Sequence, residues 1–541
     1  MTEPQKAELD AIVIGAGFAG LYMLHRLRDE LGLTTKVFDS ASGIGGTWFH
    51  NRYPGAMSDT ESFVYRYSWD KEMLQEWDWD TRYLNQPDIL RYLEAVVERH
   101  DMARDIVLNT QIDSSVYDDA TGIWTCTSST GEKFTGRYLV TAVGLLSAKN
   151  FPEIKGRDTF EGDLVHTGAW PEGLTVDGKK VGLIGTGSTG CQIICAAPKT
   201  AEHLTVFQRT AQFSVPSGNG PVTPEYVAEC RANYDAIFEQ VKSSAVGFGF
   251  EESTIPTMSV SEEERRRIFQ ENWDKGNGFR FMFGTFNDII LSEEANDAAA
   301  DFIRSKIDEI VEDPETARKL KPTEVYARRP LCNKDYYETF NRDNVSLVSI
   351  KENPIEEITP RGVRTADGVE HELDMLIFAT GFDTVDGQYT RMDLRGRDGL
   401  RIQDHWAEAP TSYLGVGTTG FPNMFMILGP NGPFSNVPPA IEVQVDIIHD
   451  LVKAAEEQKA PVVEVTRESE DGWTAVCKEI ASYTLLDRTA SWIFGANIPG
   501  KRQALMFYMA GLGSYRQQLA DEAAKGFPAF GLTRDAAAMS A

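Results

Sequence analysis

Two segments of this chain each run strand, glycine turn, helix, strand, and a long stretch after the second is helical in pattern with few strand signals. Together these predict an α/β protein with two Rossmann-like dinucleotide-binding domains and a helical insertion in the second. The first unit opens with Asp10-Ala-Ile-Val-Ile14, an apolar run of buried-strand length. Gly15-Ala-Gly17-Phe-Ala-Gly20 is the turn. A helix is predicted over Leu21 to Leu31, with Leu21, Leu24, Leu27 and Leu31 at helical spacing, and a strand over Lys36 to Asp39. The pattern returns at Lys180 to Ile184, the turn Gly185-Thr-Gly187-Ser-Thr-Gly190, a helix from Cys191 and a strand over Leu204 to Gln208. From about 223 to 320, Ser261-x-x-Glu264 is a capping box opening a helix from Arg265 to Trp273. Phe302, Ile303, Ile307 and Ile310 mark the apolar face of a later helix. Strand signals resume at Val345 to Ile350 and Leu373 to Phe378. The last ~20 residues are expected to fray.

Composition narrows the function. The 541 residues carry 53 Lys and Arg against 81 Asp and Glu, a net charge of −28. That acidity argues against nucleic acid or an anionic membrane as the main partner. No apolar run approaches the ~18 residues of a membrane span, and the opening lacks the basic-then-apolar order of a signal peptide. The six cysteines, Cys126, Cys191, Cys195, Cys230, Cys332 and Cys477, form no Cys-x-x-Cys and no metal-ligand spacing with histidine. They read as reduced packing thiols in a cytoplasmic protein with no metal. Cys191 and Cys195, one turn apart, read as two small apolar residues on one helix face.

The glycine turns say more. In each, the first glycine (Gly15, Gly185) permits the turn, the second (Gly17, Gly187) lets backbone approach a pyrophosphate, and the third (Gly20, Gly190) lets helix and strand pack closely. The helix N-terminus supplies N–H donors. Asp39 lies 24 residues beyond Gly15, where a carboxylate suits a free ribose hydroxyl pair. At the same offset from Gly185 stands Arg209, followed by Thr210. A guanidinium there suits a ribose 2′-phosphate by charge and fork geometry. The first ligand is therefore expected to be FAD and the second NADP(H), with hydride transfer as the chemistry. Without a redox cysteine pair, oxygen is the remaining common electron acceptor.

Between the turns lies Phe160-Glu-Gly162-Asp-Leu-Val-His166-Thr-Gly-Ala-Trp170-Pro171. It resembles the F-x-G-x-x-x-H-x-x-x-W-P/D fingerprint of the type I Baeyer–Villiger monooxygenases. Gly45-Gly-Thr-Trp48, Asn51-Arg-Tyr-Pro-Gly-Ala56, Ser58-Asp59-Thr-Glu61, Gly249 to Thr254, Phe279 to Phe286, Arg329-Pro-Leu-Cys332, Ala379 to Asp383, Gly429 to Phe434 and Ser491 to Gly500 extend the resemblance over nearly the whole chain.

The resemblance implies an FAD domain from both chain ends and an NADP domain interrupted by helices. The expected division is 1–145 and 385–541 for FAD, 146–222 and 331–384 for NADP, and 223–330 for the helical insertion. It implies that Arg329 stabilises a C4a-peroxyflavin anion, that Asp59 holds and tunes that arginine, and that Trp492 rides a mobile loop closing over the nicotinamide. His166 and Trp170 belong to a linker coupling domain movement to catalysis. Gly46, Thr47, Trp48 and Asp59 fall by the flavin, and Thr186, Ser188, Thr189, Arg209, Thr210 and Arg328 on NADP-contacting positions. Leu145, Leu146, Phe248, Phe279, Phe434, Val437 and Phe507 are candidates for the substrate pocket; ordinary core packing is the other reading of those aromatics. The implied reaction consumes NADPH and O2 to turn a ketone, expected to be cyclic and apolar, into an ester or lactone, with sulfides as further substrates.

The sequence departs from the family at Arg328, where lysine is usual, at Phe49-His50, which removes one aromatic, and at Val437, Ala440, Met509 and Ala510 near the expected pocket. These leave the reaction class intact and put substrate scope in question. A flavin-containing N- or S-hydroxylating monooxygenase shares both nucleotide sites and stays the alternative; a nucleotide-sensing protein without turnover is a third. A monomer is expected.

Overall fold

The first glycine unit sits at the centre of an eight-stranded sheet in the computed structural model, which describes residues 7–532. Strand Leu9–Ile14 pairs in parallel with Thr35–Phe38 on one side and Lys133–Thr141 on the other, and Ala11, Ile12 and Val13 are fully buried. A strand covered on both faces needs side chains that are apolar all round, which is why it reads as a continuous run. The following helix spans Phe18–Leu24 and continues as a π-helical turn over His25–Glu30. It starts three residues before the predicted Leu21. The leucine spacing marks the face against the sheet, whereas the start is set by Gly17, whose carbonyl accepts from the Leu21 N–H at 3.0 Å.

The second unit forms a five-stranded parallel sheet in the order Val345–Ser349, His203–Gln208, Lys180–Ile184, Met375–Phe378, Asp163–His166. Lys180–Ile184 has its predicted bounds. The helix after it, Ser188–Ala196, starts at Ser188 rather than Cys191, again because the turn sets the start. The strand expected from Leu373 begins at Met375: the Leu373 N–H goes instead to the Arg361 carbonyl, at 2.9 Å. A three-stranded antiparallel sheet over Ile355–Thr359, Gly362–Thr365 and Glu370–Glu372 was not foreseen; its strands are too short and too polar to show a period.

The chain crosses between the two sheets twice. The first sheet takes strands from residues 9–141 and again Asp393–Arg395 and Met424–Met426; the second takes strands from 163–208 and 345–378. The outgoing and returning crossings are zipped together where Ala148–Lys149 pairs antiparallel with Phe382–Asp383. Between the two visits to the second sheet run helices Pro224–Ser243, Glu262–Lys275, Gly278–Gly284, Glu293–Ile310 and Pro314–Leu320. Ser261 caps the second of these, its hydroxyl accepting from Glu264 N at 3.2 Å. Phe302, Ile303 and Ile307 are buried, and Ile310 packs at the edge of the same core. That core also holds Phe269, Phe281, Val181 and Leu183, so the later helices share apolar burial with the second sheet, whereas Cys230, Tyr234, Phe238 and Val241 of Pro224–Ser243 pack in the core of the first. Of the last ~20 residues, expected to fray, those up to Leu532 are instead packed: Phe527 and Phe530 are buried, and the Phe530 carbonyl accepts from Glu464 N at 3.0 Å; residues 533–541 lie outside the described residues. All six cysteines are free. Among the described residues no helix is long and apolar enough to cross a membrane.

Candidate active site

Both glycine turns bring backbone against backbone. Gly185 has φ +108°, and a Cβ there would come within 2.5 Å of the Ala379 carbonyl; one on Gly190 would overlap the Gly185 carbonyl. Only glycine leaves that room, and Gly15 and Gly20 repeat the arrangement against Ala142. Gly187, by contrast, faces open space beside the helix N-terminus, a cradle suited to a pyrophosphate. At the first turn, Asp39 Oδ2 accepts from Ala16 N at 2.7 Å and Oδ1 from Ala41 N at 2.8 Å, which fixes its carboxylate at the strand's end. Gly46 packs on Gly17, so the Gly46-Thr47-Trp48 turn lies directly beside the glycine motif. Trp48 is buried and its indole N–H donates to Tyr65 Oη at 3.0 Å.

Around the second turn, Thr186 Oγ1 donates to the Thr210 carbonyl at 2.9 Å, locking the turn to the strand end that carries Arg209. Arg209 is exposed. Arg328 is half-buried, pairs with Glu324, and keeps a buried Nε without a partner. Burial, joined by the nearby Arg209, pulls its guanidinium below the ordinary arginine range, against Glu324. With Arg329, Arg328 lines a cleft beside Gln212, Phe213 and Val325. Two neighbouring guanidinium groups and an orphaned donor fit a dianionic 2′-phosphate.

Arg329 and Asp59, 270 residues apart, meet between the two units, with Arg329 Nη2 donating to Asp59 Oδ2 at 2.7 Å. Nη1 donates to Ser188 Oγ at 3.1 Å, at the N-terminus of the second turn's helix. The guanidinium lies 5.4 Å from the Phe279 ring centre. Asp59 is buried and its other oxygen has no partner. Two of the arginine's five N–H donors are thus used, and its side chain is 28% exposed, so a fixed cation faces the space between the units.

The proposed pocket residues fall into two groups. Phe248 and Phe279 stack with centroids 4.0 Å apart in a cluster that adds Phe250. Leu145, Phe434, Phe507 and Trp492 form another, with Phe507 5.5 Å from Phe434 and 5.7 Å from Trp492. Asn436 joins the groups: its Nδ2 donates to the Gly247 carbonyl at 2.8 Å. Leu146 and Val437, next in sequence to Leu145 and Asn436, are 39% and 38% exposed.

His166 is buried between backbone partners. Its Nδ1 accepts from Gly168 N at 3.0 Å and Nε2 lies 3.1 Å from the Gly381 carbonyl. That network requires the Nε2–H tautomer. Burial pushes its pKa down to about 4, so it is neutral near pH 7. Both ring nitrogens are engaged, which makes His166 an anchor of the linker to the returning strand rather than a proton carrier. Trp170 is buried beside it in sequence, its indole bonded to the Leu174 carbonyl at 3.1 Å.

Sequence reasoning gave no role to several residues here, although Glu61 and Asn497 stand within its motifs. Glu61, buried, takes Arg280 at 2.6 Å and Arg82 at 3.0 Å. Lys501 bonds Asp383 at 2.6 Å and also Asp386, and Asn497 Nδ2 donates to the Phe382 carbonyl at 2.8 Å; both tie the Trp492 loop to the returning crossing. Asn277 was missed too, although Asn277-Gly278 is a readable turn signal.

Two glycine-turn nucleotide units facing a buried carboxylate–guanidinium pair define a pyridine-nucleotide-dependent flavoprotein. A pyridine nucleotide-disulphide oxidoreductase family model matches residues 9–232. The chain is 59% identical to a phenazine N-monooxygenase of Lysobacter antibioticus over 100% of both chains. It is 55% identical to a Baeyer–Villiger monooxygenase of Pseudooceanicola batsensis (97% of this chain, 96% of the relative). With a cyclohexanone 1,2-monooxygenase of an Acinetobacter species it shares 52% identity (95% and 94% covered). The fold superposes on cyclohexanone monooxygenase from Rhodococcus sp. Phi1 bound to NADP+ with a TM-score of 0.96, at 58% identity, covering 97% and 99% of the two chains. The chain belongs to the type I Baeyer–Villiger monooxygenases, a family of FAD- and NADPH-dependent enzymes.

Proposed function

We propose that this enzyme uses NADPH and O2 to convert cyclic ketones to lactones, in the manner of cyclohexanone monooxygenase, and also oxidises sulfides. The observation that carries the reading is the Arg329–Asp59 pair, set over Phe279 and bonded to Ser188 at the second nucleotide turn. Gly15, Gly17, Gly20, Asp39 and the Gly46–Trp48 turn would hold FAD. Gly185, Gly187, Ser188, Thr189, Gly190, Arg209, Thr210 and Arg328 would hold NADP(H). Bound FAD, once reduced, supplies the activation of O2. The protein's part is electrostatic and spatial. Arg329 keeps negative charge on the reacting oxygen, since a guanidinium does not give up its own proton. Asp59 holds that guanidinium in place. Phe248, Phe279, Leu145, Phe434 and Phe507 wall the ketone in and exclude water, and Trp492 closes the loop over the nicotinamide side. The division at 145/146, 222/223, 330/331 and 384/385, a monomeric state and a cytoplasmic location belong to the same reading.

A second reading has a specific observation behind it: the full-length 59% identity to a phenazine N-monooxygenase. It assigns oxygen transfer to a ring nitrogen of a planar aromatic. The deciding experiment incubates purified holoenzyme with NADPH and O2 plus either cyclohexanone or phenazine. The first reading expects ε-caprolactone in step with NADPH loss; an N-oxide with no lactone overturns it.

A further inference from the structure

Asn277 is a buried side chain, 1% exposed, with none of the roles assigned so far. Its Nδ2 donates to the Asp59 carbonyl at 3.1 Å and to Tyr83 Oη at 3.0 Å. Its Oδ1 accepts from Phe279 N at 2.9 Å and Arg280 N at 3.2 Å, capping helix Gly278–Gly284. Two donors and two lone pairs are the whole capacity of a side-chain amide. The backbone that delivers them is unusual: φ 81°, ψ 115°, a conformation a residue with a Cβ holds only when its surroundings demand it. Asn277 N donates to the Pro216 carbonyl at 2.9 Å, which anchors that backbone.

The two elements Asn277 joins are the two that flank Arg329. The loop at Asp59 supplies the carboxylate that takes Nη2, and helix Gly278–Gly284 supplies the Phe279 ring under the guanidinium. A second pin lies one residue further along that helix, where Arg280 pairs with Glu61 at 2.6 Å. The spacing of loop and helix therefore fixes where the guanidinium sits. We propose that Asn277 is a positioning residue for oxygen transfer, holding the Asp59 loop and the Phe279 helix at the separation that keeps Arg329 aimed. The proposal rests on the role given to Arg329 above. Without the tether, NADPH, O2 and a proton leave as NADP+ and hydrogen peroxide, instead of the same inputs with ketone leaving as NADP+, ester and water.

The test compares holoenzyme with Asn277→Gly, which accepts the positive φ and removes all four bonds, and Asn277→Asp, which keeps the helix cap and loses the tether to Asp59. Three measurements are made: ester and hydrogen peroxide per NADPH with separate kcat and KM for ketone, flavin reduction by NADPH without oxygen, and amide hydrogen exchange at Phe279 and Arg280. Flavin reduction is expected within about twofold of wild type. Ester per NADPH should fall about tenfold or more through kcat, as for a misplaced catalytic group. Exchange at the two amides should rise in Asn277→Gly and change less in Asn277→Asp. A wild-type ester-to-peroxide ratio in both variants overturns the proposal, as does a loss confined to KM or unchanged exchange in Asn277→Gly. If Asn277→Gly does not fold, the ester-to-peroxide ratio of Asn277→Asp decides alone. If wild type makes no ester from any ketone, the functional reading fails, and the exchange data still decide whether Asn277 ties the helix.

Discussion

Replacing Arg329 with alanine removes the cation that faces the space between the nucleotide units and strands a buried carboxylate. Two unit charges about 4 Å apart at an effective dielectric of about 20 gain about 4 kcal/mol. The Arg329 side chain is 28% exposed, so solvent screening trims the gain. A loss of about 3 kcal/mol, roughly a hundredfold in rate, is the expected effect on ester formation. Flavin reduction by NADPH should stay within a few-fold, because that hydride transfer precedes oxygen and forms no anionic oxygen adduct. Asp59 also loses its ion partner in a buried place, and breaking such a pair costs about 3–5 kcal/mol of stability; Tm should fall with activity. Arg329→Lys separates the two effects: it restores charge without the fork, so stability should recover more than ester yield. The assay follows lactone by gas chromatography, peroxide by a coupled dye and flavin bleaching without oxygen. An alanine variant that makes ester at more than a third of the wild-type rate per NADPH refutes the assignment.

Arg209→Gln should raise KM for NADPH about 10- to 100-fold and leave NADH use unchanged, since a charge-assisted bond is worth about 1.5–3 kcal/mol; steady-state kinetics with both nucleotides decides it. His166 is held neutral, with its pKa lowered to about 4 from an unfolded value near 6.5. Its contribution to stability is therefore present above pH 6.5 and lost as pH falls toward 4, by up to about 3 kcal/mol at ~1.36 kcal/mol per unit; His166→Asn should flatten thermal midpoints over that window. Lys501→Ala should untie the Trp492 loop from Asp383 and Asp386, speeding proteolysis between 490 and 505 and raising peroxide release.

The glycine turns, Asp39 and Arg209 were legible because their chemistry is local: a turn, a strand end and a fixed offset. Helix starts at Phe18 and Ser188 were not, because leucine spacing reports the face a helix buries and not its first turn. Arg329 and Asp59 meet across 270 residues, and neither residue alone distinguishes an active-site pair from a structural one. Motif resemblance supplied that pairing, as it supplied Leu146 and Val437 as pocket candidates, whose side chains are exposed. Asn277, Glu61 and Lys501 gained no role from the sequence because their partners come from distant segments, which neither a turn signal at Asn277 nor a motif containing Glu61 reveals.

The interleaved strand order has a consequence for how the chain is made. Strand Lys133–Thr141 awaits Met424–Met426 as a partner, roughly three hundred residues later. At ~5–20 residues per second of synthesis, that is a wait of about 15–60 s. Every strand of the five-stranded parallel sheet emerges within that interval, so the second nucleotide unit can be complete while the first still lacks its last strands. Of the two units, the one whose strands emerge first is the one finished last.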